Sequence, residues 1–173
     1  MKSRFELVPA LSLAFLLSSI CAFGTRATTT EYSQHFDALH RLSVAVAGAM
    51  PSEKYTFRPD PGSMTFGELM SHIATTNFSF CAGLQDTAAP QTPPPSDKDK
   101  EAVVKYLTSS FEYCATIIPN LTGQQLMNAH NSPDGRLSGR EVLLAMFVHV
   151  AHHRGQAEIY LRDNGIEPPS YRI

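Results

Sequence analysis

The sequence predicts an all-α protein, and three observations lead to the prediction of a four-helix bundle. Hydrophobic residues recur at a period near 3.6, rather than 2, along four separate segments. Two of these segments begin with a capping box, and proline or glycine follows the ends of the segments. Amphipathic helices of this length can bury their apolar stripes only against one another, which favours one bundle with a shared core. The length of 173 residues, of which 43% are hydrophobic, suits one such domain.

The first two dozen residues are expected to lie outside this domain. A basic start is followed by the apolar stretch "LVPALSLAFLLSSICAF", and the small residues of "AFG" fit a signal peptidase site. We therefore predict a secretory signal peptide at residues 1–24, cleaved near Gly24 or after Ala27, and a mature domain at residues 25–173. An uncleaved membrane anchor is the alternative, although the stretch is shorter than the roughly 20 residues of a spanning helix.

The predicted location is therefore the periplasm or the extracellular space, with no membrane span expected after cleavage. No basic tract marks a nucleic-acid footprint, and the formal charge is −2. Two cysteines, Cys81 and Cys114, remain in the mature chain and would face an oxidising compartment. A disulfide and a pair of free buried thiols are equally compatible with the sequence.

The first predicted helix runs from about Tyr32 to Met50, where Pro51 stops it. Its apolar stripe consists of Phe36, Leu39, Leu42, Val46 and Ala49. The second helix opens with a capping box formed by Thr65 and Glu68, and continues through "LMSHIATTNFSFCAGL".

A proline-rich linker separates the second and third predicted helices. The stretch "DTAAPQTPPPS" cannot be helical, so we expect a stiff, extended crossover rather than a simple helical hairpin. The third helix is predicted from about Asp97 to Ile118, before Pro119. An irregular stretch follows, which has room for a short extended piece and contains the turn signal "SPDG". The fourth helix begins with a second capping box at Ser138 and runs to Asn164, where a glycine closes it.

Three histidines lie within five positions of the last predicted helix. Because each residue turns the helix by about 100°, His153 lies about 40° from His149, and His152 lies about 60° to the other side. His149 and His153 therefore share the inward face, while His152 lies at its edge. The spacing alone is a weak signal, because a polar pair at the end of a bundle has the same spacing.

The second helix adds one more imidazole to the predicted interior. His72 is the only titratable group on the apolar stripe formed by Leu69, His72, Thr76 and Phe80. A lone histidine is usually a satisfied core residue, but three unpaired buried imidazoles would carry several desolvation penalties. One divalent cation would satisfy His72, His149 and His153 together, and bundle cores commonly hold such sites. Zinc or nickel is the first expectation, with iron or manganese as alternatives, since ligand type alone does not choose among them.

Three protein ligands leave coordination positions open, which favours a catalytic site over a closed structural one. Gln156 and Tyr160 lie one and two turns from His153 on the same stripe. They are the candidate catalytic residues, placed to orient a substrate or to donate a hydrogen bond, and each is equally compatible with filling the bundle. The other histidines are weaker candidates. His35 and His40 are expected at the surface or edge of the first helix, and His130 is expected in a loop that could reach the site.

Three stretches together resemble the DinB-like superfamily of metalloenzymes, which includes the bacillithiol- and mycothiol-dependent transferases. They are "FRPDPGSMTFGELMSHIA", "LSGREVLLAMFVH" and "HVAHHRGQAEIYLRDNGIEPP", and they occur in the expected order. The resemblance implies an up-down-down-up bundle, which would account for the long linker, and a metal-binding triad at His72, His149 and His153. It also implies a homodimer as the candidate assembly.

The expected function is that of an exported, metal-dependent enzyme that acts on an unidentified small molecule by thiol S-transfer or by hydrolysis. The alternative is a non-catalytic, metal-stabilised binding or stress-response protein of the same fold. Two features depart from the family pattern. The characterised transferases work on thiols in the cytoplasm, whereas this chain is predicted to be exported. No basic residue on the inward stripes is placed to bind the carboxylates of a thiol cosubstrate, although Arg58 could approach from the loop before the second helix.

Overall fold

The structure, a computed structural model, describes the backbone of residues 10–172 and the side chains of residues 29–172. Its α-helices and β-strands are α1 (Ala10–Ala49), α2 (Phe66–Leu84), α3 (Lys100–Ile117), α4 (Gly123–Met127), β1 (Ala129–Ser132), β2 (Gly135–Ser138) and α5 (Gly139–Asp163). The predicted signal peptide lies outside the residues whose side chains are described, and it stays a prediction. None of the described helices combines the length and the apolar character needed to cross a bilayer.

The four long helices share one core. Both α1 and α2 pack against α3 and against α5. The predicted stripe of α1 is buried at Phe36, Leu39, Leu42 and Val46. The fold is thus mostly helical, as predicted, while the up-down-down-up order of the bundle stays a prediction.

The bounds of the helices differ from the prediction mainly in α1. This helix begins at Ala10 instead of Tyr32, because no proline interrupts the chain between Ala10 and Ala49. Both predicted capping boxes are confirmed, at Thr65 for α2 and at Ser138 for α5.

A two-stranded hairpin makes the all-α prediction incomplete. Strands β1 and β2 pair antiparallel, with Ala129 opposite Ser138 and Ser132 opposite Gly135. The predicted "SPDG" turn is confirmed, and Gly135 adopts a φ of 101°, which side-chain-bearing residues rarely adopt. Each strand has only four residues, so neither carries enough alternation to predict a strand.

A disulfide joins Cys81 of α2 to Cys114 of α3. Of the two alternatives that the sequence left open, the structure contains the disulfide. It fastens together two helices that the long linker leaves far apart along the chain.

The start of α2 is fixed to the end of the proline-rich linker. Thr65 Oγ1 accepts a hydrogen bond from the backbone amide of Glu68 at 3.1 Å and donates one to Asp97 Oδ2 at 2.9 Å. Gly67, one residue into the first turn, lies so close to the linker that a Cβ atom would collide with the backbone of Asp97. These contacts hold the linker beside the helix face that carries His72.

Candidate metal centre

Three imidazole rings meet where α2 packs against α5. The Nε2 atoms of His149 and His72 lie 3.0 Å apart. The ring centroid of His153 lies 4.7 Å from that of His72 and 4.4 Å from that of His149. One possible ligand nitrogen from each ring lies within 4.8 Å of the other two. The structure thus brings together all three predicted metal ligands.

Helical spacing and packing explain this meeting. His149 and His153 are four residues apart on α5 and therefore project from one side of it. His72 comes from α2, which packs on that side. The buried ring of Phe80 meets His149 edge-on at 6.1 Å and forms an apolar wall behind it.

The environment keeps the three rings neutral. Burial lowers the pKa of His149 to about 4, and the neighbouring rings of His153, His72 and His152 add to the effect. Burial also lowers the pKa of His72. For His153, burial lowers the pKa, and the hydrogen bond with Gln156 acts in the opposite direction. Neutral imidazoles at about pH 7 have lone pairs available for a metal ion.

The donor set fits a divalent metal ion. A separation of 3.0 Å is a hydrogen bond between two neutral rings, and two nitrogens that bind one ion at about 2.1 Å each also lie roughly 3.0–3.4 Å apart. His149 Nδ1 is buried and has no hydrogen-bond partner among the described residues, so the ring is held by packing. A polar nitrogen cluster without carboxylates suits zinc, nickel or iron better than a hard cation such as calcium.

The two candidate catalytic residues differ in their surroundings. Gln156 is exposed, and its Oε1 lies 2.7 Å from His153 Nδ1. Tyr160 is almost buried, and its hydroxyl donates a hydrogen bond to the carbonyl of Met64 at 3.1 Å. Gln156 thus contacts a predicted ligand directly, whereas Tyr160 fastens α5 to the segment before α2. A catalytic role for either residue stays a prediction.

The remaining histidines do not join the three rings. His130 is buried, with Nδ1 3.0 Å from Asp86 Oδ1 and Nε2 2.7 Å from the carbonyl of Gln125. It therefore ties β1 to the turn after α2 and to α4, and it does not reach the site. The ring of His35 contacts Phe147, and the ring of His40 stacks on Phe111. The ring of His152 contacts the ring of His153 edge-on.

A cleft of about 430 Å³ opens beside His72. One wall is a face of α2 that includes Glu68, Ser71 and Thr75, and the facing wall is the end of the linker, residues 94–97. These cleft residues were not predicted as site residues. Helical spacing could have placed Glu68 and Thr75 beside His72, but the linker has no periodicity that would have placed residues 94–97 there.

Comparisons with known proteins show which family this chain resembles. A family model described as the DinB superfamily matches residues 35–157, which include all three histidines. The YjoA protein of Bacillus subtilis (strain 168) is 26% identical over 150 residues, which cover 83% of this chain and 96% of that protein.

Two crystal structures of DinB-like proteins share the fold. The structure of YjoA from Bacillus subtilis has a TM-score of 0.69 and 24% identity, covering 82% of this chain and 97% of that chain. The structure of a DinB-like protein from Bacillus cereus ATCC 10987 has a TM-score of 0.71 and 17% identity, covering 82% and 95% respectively. Because the family model matches most of the chain, this protein belongs to the DinB superfamily.

Proposed function

We propose that this chain is an exported, divalent-metal-dependent enzyme that acts on a small molecule by thiol S-transfer or by hydrolysis. The observation that supports the proposal is the meeting of three imidazoles, from His72, His149 and His153, with two Nε2 atoms 3.0 Å apart. Zinc or nickel is the proposed ion, with iron or manganese as alternatives. When bound, the ion would supply Lewis acidity, which lowers the pKa of a thiol or a water molecule beside it.

Neighbouring residues of the chain would fix the orientation of the imidazole rings at the site. Gln156 accepts a hydrogen bond from His153 Nδ1, which leaves Nε2 of that ring unprotonated. Phe80 covers one side of His149 and keeps water from that side. Because ring orientation is fixed before an ion arrives, little rearrangement would be needed on binding.

The cleft beside His72 is the proposed route for the substrate. Its volume of about 430 Å³ suits a small molecule rather than a polymer. The hydroxyl of Ser71, which lines this cleft, is buried and has no hydrogen-bond partner among the described residues. Glu68 is not proposed as a base, because its carboxylate accepts a hydrogen bond from the backbone amide of Thr65 at 2.7 Å and lies 3.7 Å from Arg58.

Export is part of the proposal. The basic start and apolar stretch of residues 1–24 support it, as does the disulfide between Cys81 and Cys114. Disulfides persist in oxidising compartments and are rare where thiols are kept reduced. Fusion of residues 1–30 to a reporter that is active only after export would test it, and a reporter retained in the cytoplasm would contradict it.

Metal analysis of the chain, purified without a histidine tag, tests the site. We expect one equivalent of a divalent ion in the wild-type protein and close to none in the His72→Ala, His149→Ala and His153→Ala variants. His35→Ala is the matched control, since His35 is exposed on α1 and should leave the metal content unchanged. Equal metal content in all four variants would defeat the assignment.

A non-catalytic metal protein is the second candidate, since an ion held by His72 and His149 would tie α2 to α5. Two measurements separate the candidates. For an enzyme, chelation should leave the chain largely folded, and added thiol should change the visible spectrum of the cobalt-substituted protein. For a structural site, chelation should lower the melting temperature strongly, and thiol should leave the cobalt spectrum unchanged.

A further inference from the structure

A second cavity, of about 300 Å³, lies where the proline-rich linker meets α2 and α3. It is lined by residues 92, 93 and 95 of the linker, by Phe78 of α2, and by one face of α3 from Ala102 to Ser109. We call this cavity the linker pocket. It shares Pro95 with the cleft beside His72 and no other lining residue. Its volume is at the lower end of the range for small-molecule sites, roughly 300–1,000 Å³.

Two aromatic rings form the floor of the linker pocket. Phe78 and Tyr106 both line it, and each is only 8% exposed. Their ring centroids lie 5.5 Å apart with the planes inclined by 49°, and the ring centroid of Tyr113 lies 5.5 Å from that of Phe78. Aromatic rings attract one another at centroid distances of about 4.5–7 Å in tilted or offset arrangements. A ligand ring placed on this floor would therefore extend an existing aromatic cluster.

The wall that the linker supplies is rigid before any ligand arrives. Pro93 and Pro95 line the pocket, and the pyrrolidine ring of proline fixes its own φ angle. The hydroxyl of Tyr106 donates a hydrogen bond to the carbonyl of Thr92 at 3.3 Å, which holds the linker beside the aromatic floor. Because the walls are already in place, little ordering of the chain would oppose binding.

One positive charge lies at the edge of this apolar pocket. Among the described residues, Lys105 is the only charged one that lines it. Its side chain is exposed on α3 and forms no ion pair with any described residue, including Glu101 four residues earlier on the same helix. A free ammonium group beside an aromatic floor complements a ligand that carries one negative charge on an apolar body.

We propose that the linker pocket binds a small aromatic carboxylate, with its ring on Phe78 and Tyr106 and its carboxylate beside the ammonium group of Lys105. The inference goes beyond the proposed function, because His72, His149 and His153 do not line this pocket. It therefore holds or fails independently of metal binding and of any activity at the three imidazoles.

Three probes of matched size test the charge of the ligand. Phenylacetate, 2-phenylethanol and 2-phenylethylamine share one ring and differ in charge, and amide NMR shifts of the labelled chain report both their affinity and their location. We expect phenylacetate to bind about two- to fivefold more tightly than 2-phenylethanol, which is the effect of an exposed ion pair. The amine should bind most weakly. The shifts should centre on Phe78 and Tyr106, rather than on Ser71 and Thr75 of the cleft beside His72.

Reversal of the charge at residue 105 tests the role of its ammonium group. Lys105→Glu should reverse the order of the three probes, so that 2-phenylethylamine binds most tightly. Lys54→Glu is the matched control, since Lys54 is exposed in the turn after α1 and does not line the pocket. It should retain the wild-type order. Both side chains are exposed, so both variants should keep the wild-type melting temperature.

Two further measurements test the shape of the linker pocket. Ala102→Phe should abolish the binding of phenylacetate, because the larger side chain would occupy the cavity that the methyl group of Ala102 now lines. Cyclohexylacetate should bind more weakly than phenylacetate, because its puckered ring cannot lie as closely on the two aromatic rings. Equal affinities for the three charged and neutral probes, an order unchanged in Lys105→Glu, shifts confined to the cleft beside His72, or equal binding of cyclohexylacetate would each overturn the proposal.

Discussion

The side chain of Gln156 shows how one residue would prepare the candidate metal centre. Its Oε1 lies 2.7 Å from His153 Nδ1 and so favours the tautomer that is protonated there. Partners of this kind orient a metal-binding imidazole and raise its affinity for the ion.

We predict that Gln156→Leu weakens metal binding by about 10–100-fold, because His153 loses the acceptor that fixes its ring. Gln156→Glu keeps an oxygen acceptor at the same position and should bind the ion as well as the wild type. Competition with a chromophoric chelator measures both affinities. An unchanged affinity in Gln156→Leu would remove Gln156 from the site.

The pKa of His149 predicts how the metal-free protein responds to acid. Burial lowers this pKa to about 4 in the folded chain, from the ordinary value of 6.5 for an exposed histidine. Between these values the unfolded chain binds more protons than the folded one, so the free energy of unfolding falls as pH falls from about 7 towards 4. Urea denaturation of the metal-free protein across this range should show the decline.

The matched variants for this pH experiment are His149→Gln and His35→Gln. His149→Gln should reduce the pH dependence, because it removes one of the rings whose pKa burial lowers. His35→Gln should retain the wild-type slope. If the slope stays the same in His149→Gln, protonation of this ring does not couple to folding.

At the residue scale, the meeting of the three imidazoles could be predicted from the sequence because helical spacing is regular. The i and i+4 positions of His149 and His153 determine a common face whatever the neighbouring helices do. His130 was harder to place, because it lies in a strand whose position depends on a hairpin and on Asp86. Tyr160 shared the predicted stripe, but only the folded chain shows that its hydroxyl bonds to Met64.

Among the helices and strands, α2 depends on a close approach of the linker at its first turn. We predict that Gly67→Ala lowers the free energy of unfolding by about 1–3 kcal/mol, because the new methyl group would collide with the backbone of Asp97. Gly48→Ala is the control, since Gly48 is exposed near the end of α1 with open space around it. It should leave stability unchanged or raise it by about 0.5 kcal/mol. Equal effects in the two variants, measured by urea denaturation, would rule out the collision.

The disulfide between α2 and α3 should contribute measurably to stability. It joins residues 33 apart in sequence, and a loop of this size corresponds to roughly 3–4 kcal/mol in the chain-entropy model. We predict that the double variant Cys81→Ser, Cys114→Ser unfolds at a lower urea concentration than the wild type. Dithiothreitol should destabilise the wild type and leave the double variant unaffected; a wild type that is insensitive to reduction would contradict the bond.

At the element scale, the capping boxes were predictable because their residues lie close together in the chain. Thr65 with Glu68, and Ser138 with Glu141, are complete signals within one turn. The hairpin and the short α4 were not predicted as regular elements, because four- and five-residue segments are too short to establish a period. The disulfide could not be decided for a different reason: it depends on how α2 packs against α3.

For the whole molecule, the prediction of four long helices around one core was sound because each carries a full apolar stripe. The cleft beside His72 could not be predicted from the sequence, because it forms only where the linker returns to the face of α2. Tertiary contacts such as that between Thr65 and Asp97 make this return, across 32 residues of sequence.

Anomalous diffraction at the absorption edge of the bound metal, from crystals of the untagged chain, tests the central claim most directly. We predict one peak between α2 and α5, about 2.1 Å from one nitrogen each of His72, His149 and His153. A crystal grown with excess zinc and nickel that shows no peak at these rings, or only peaks at other residues, would contradict the account.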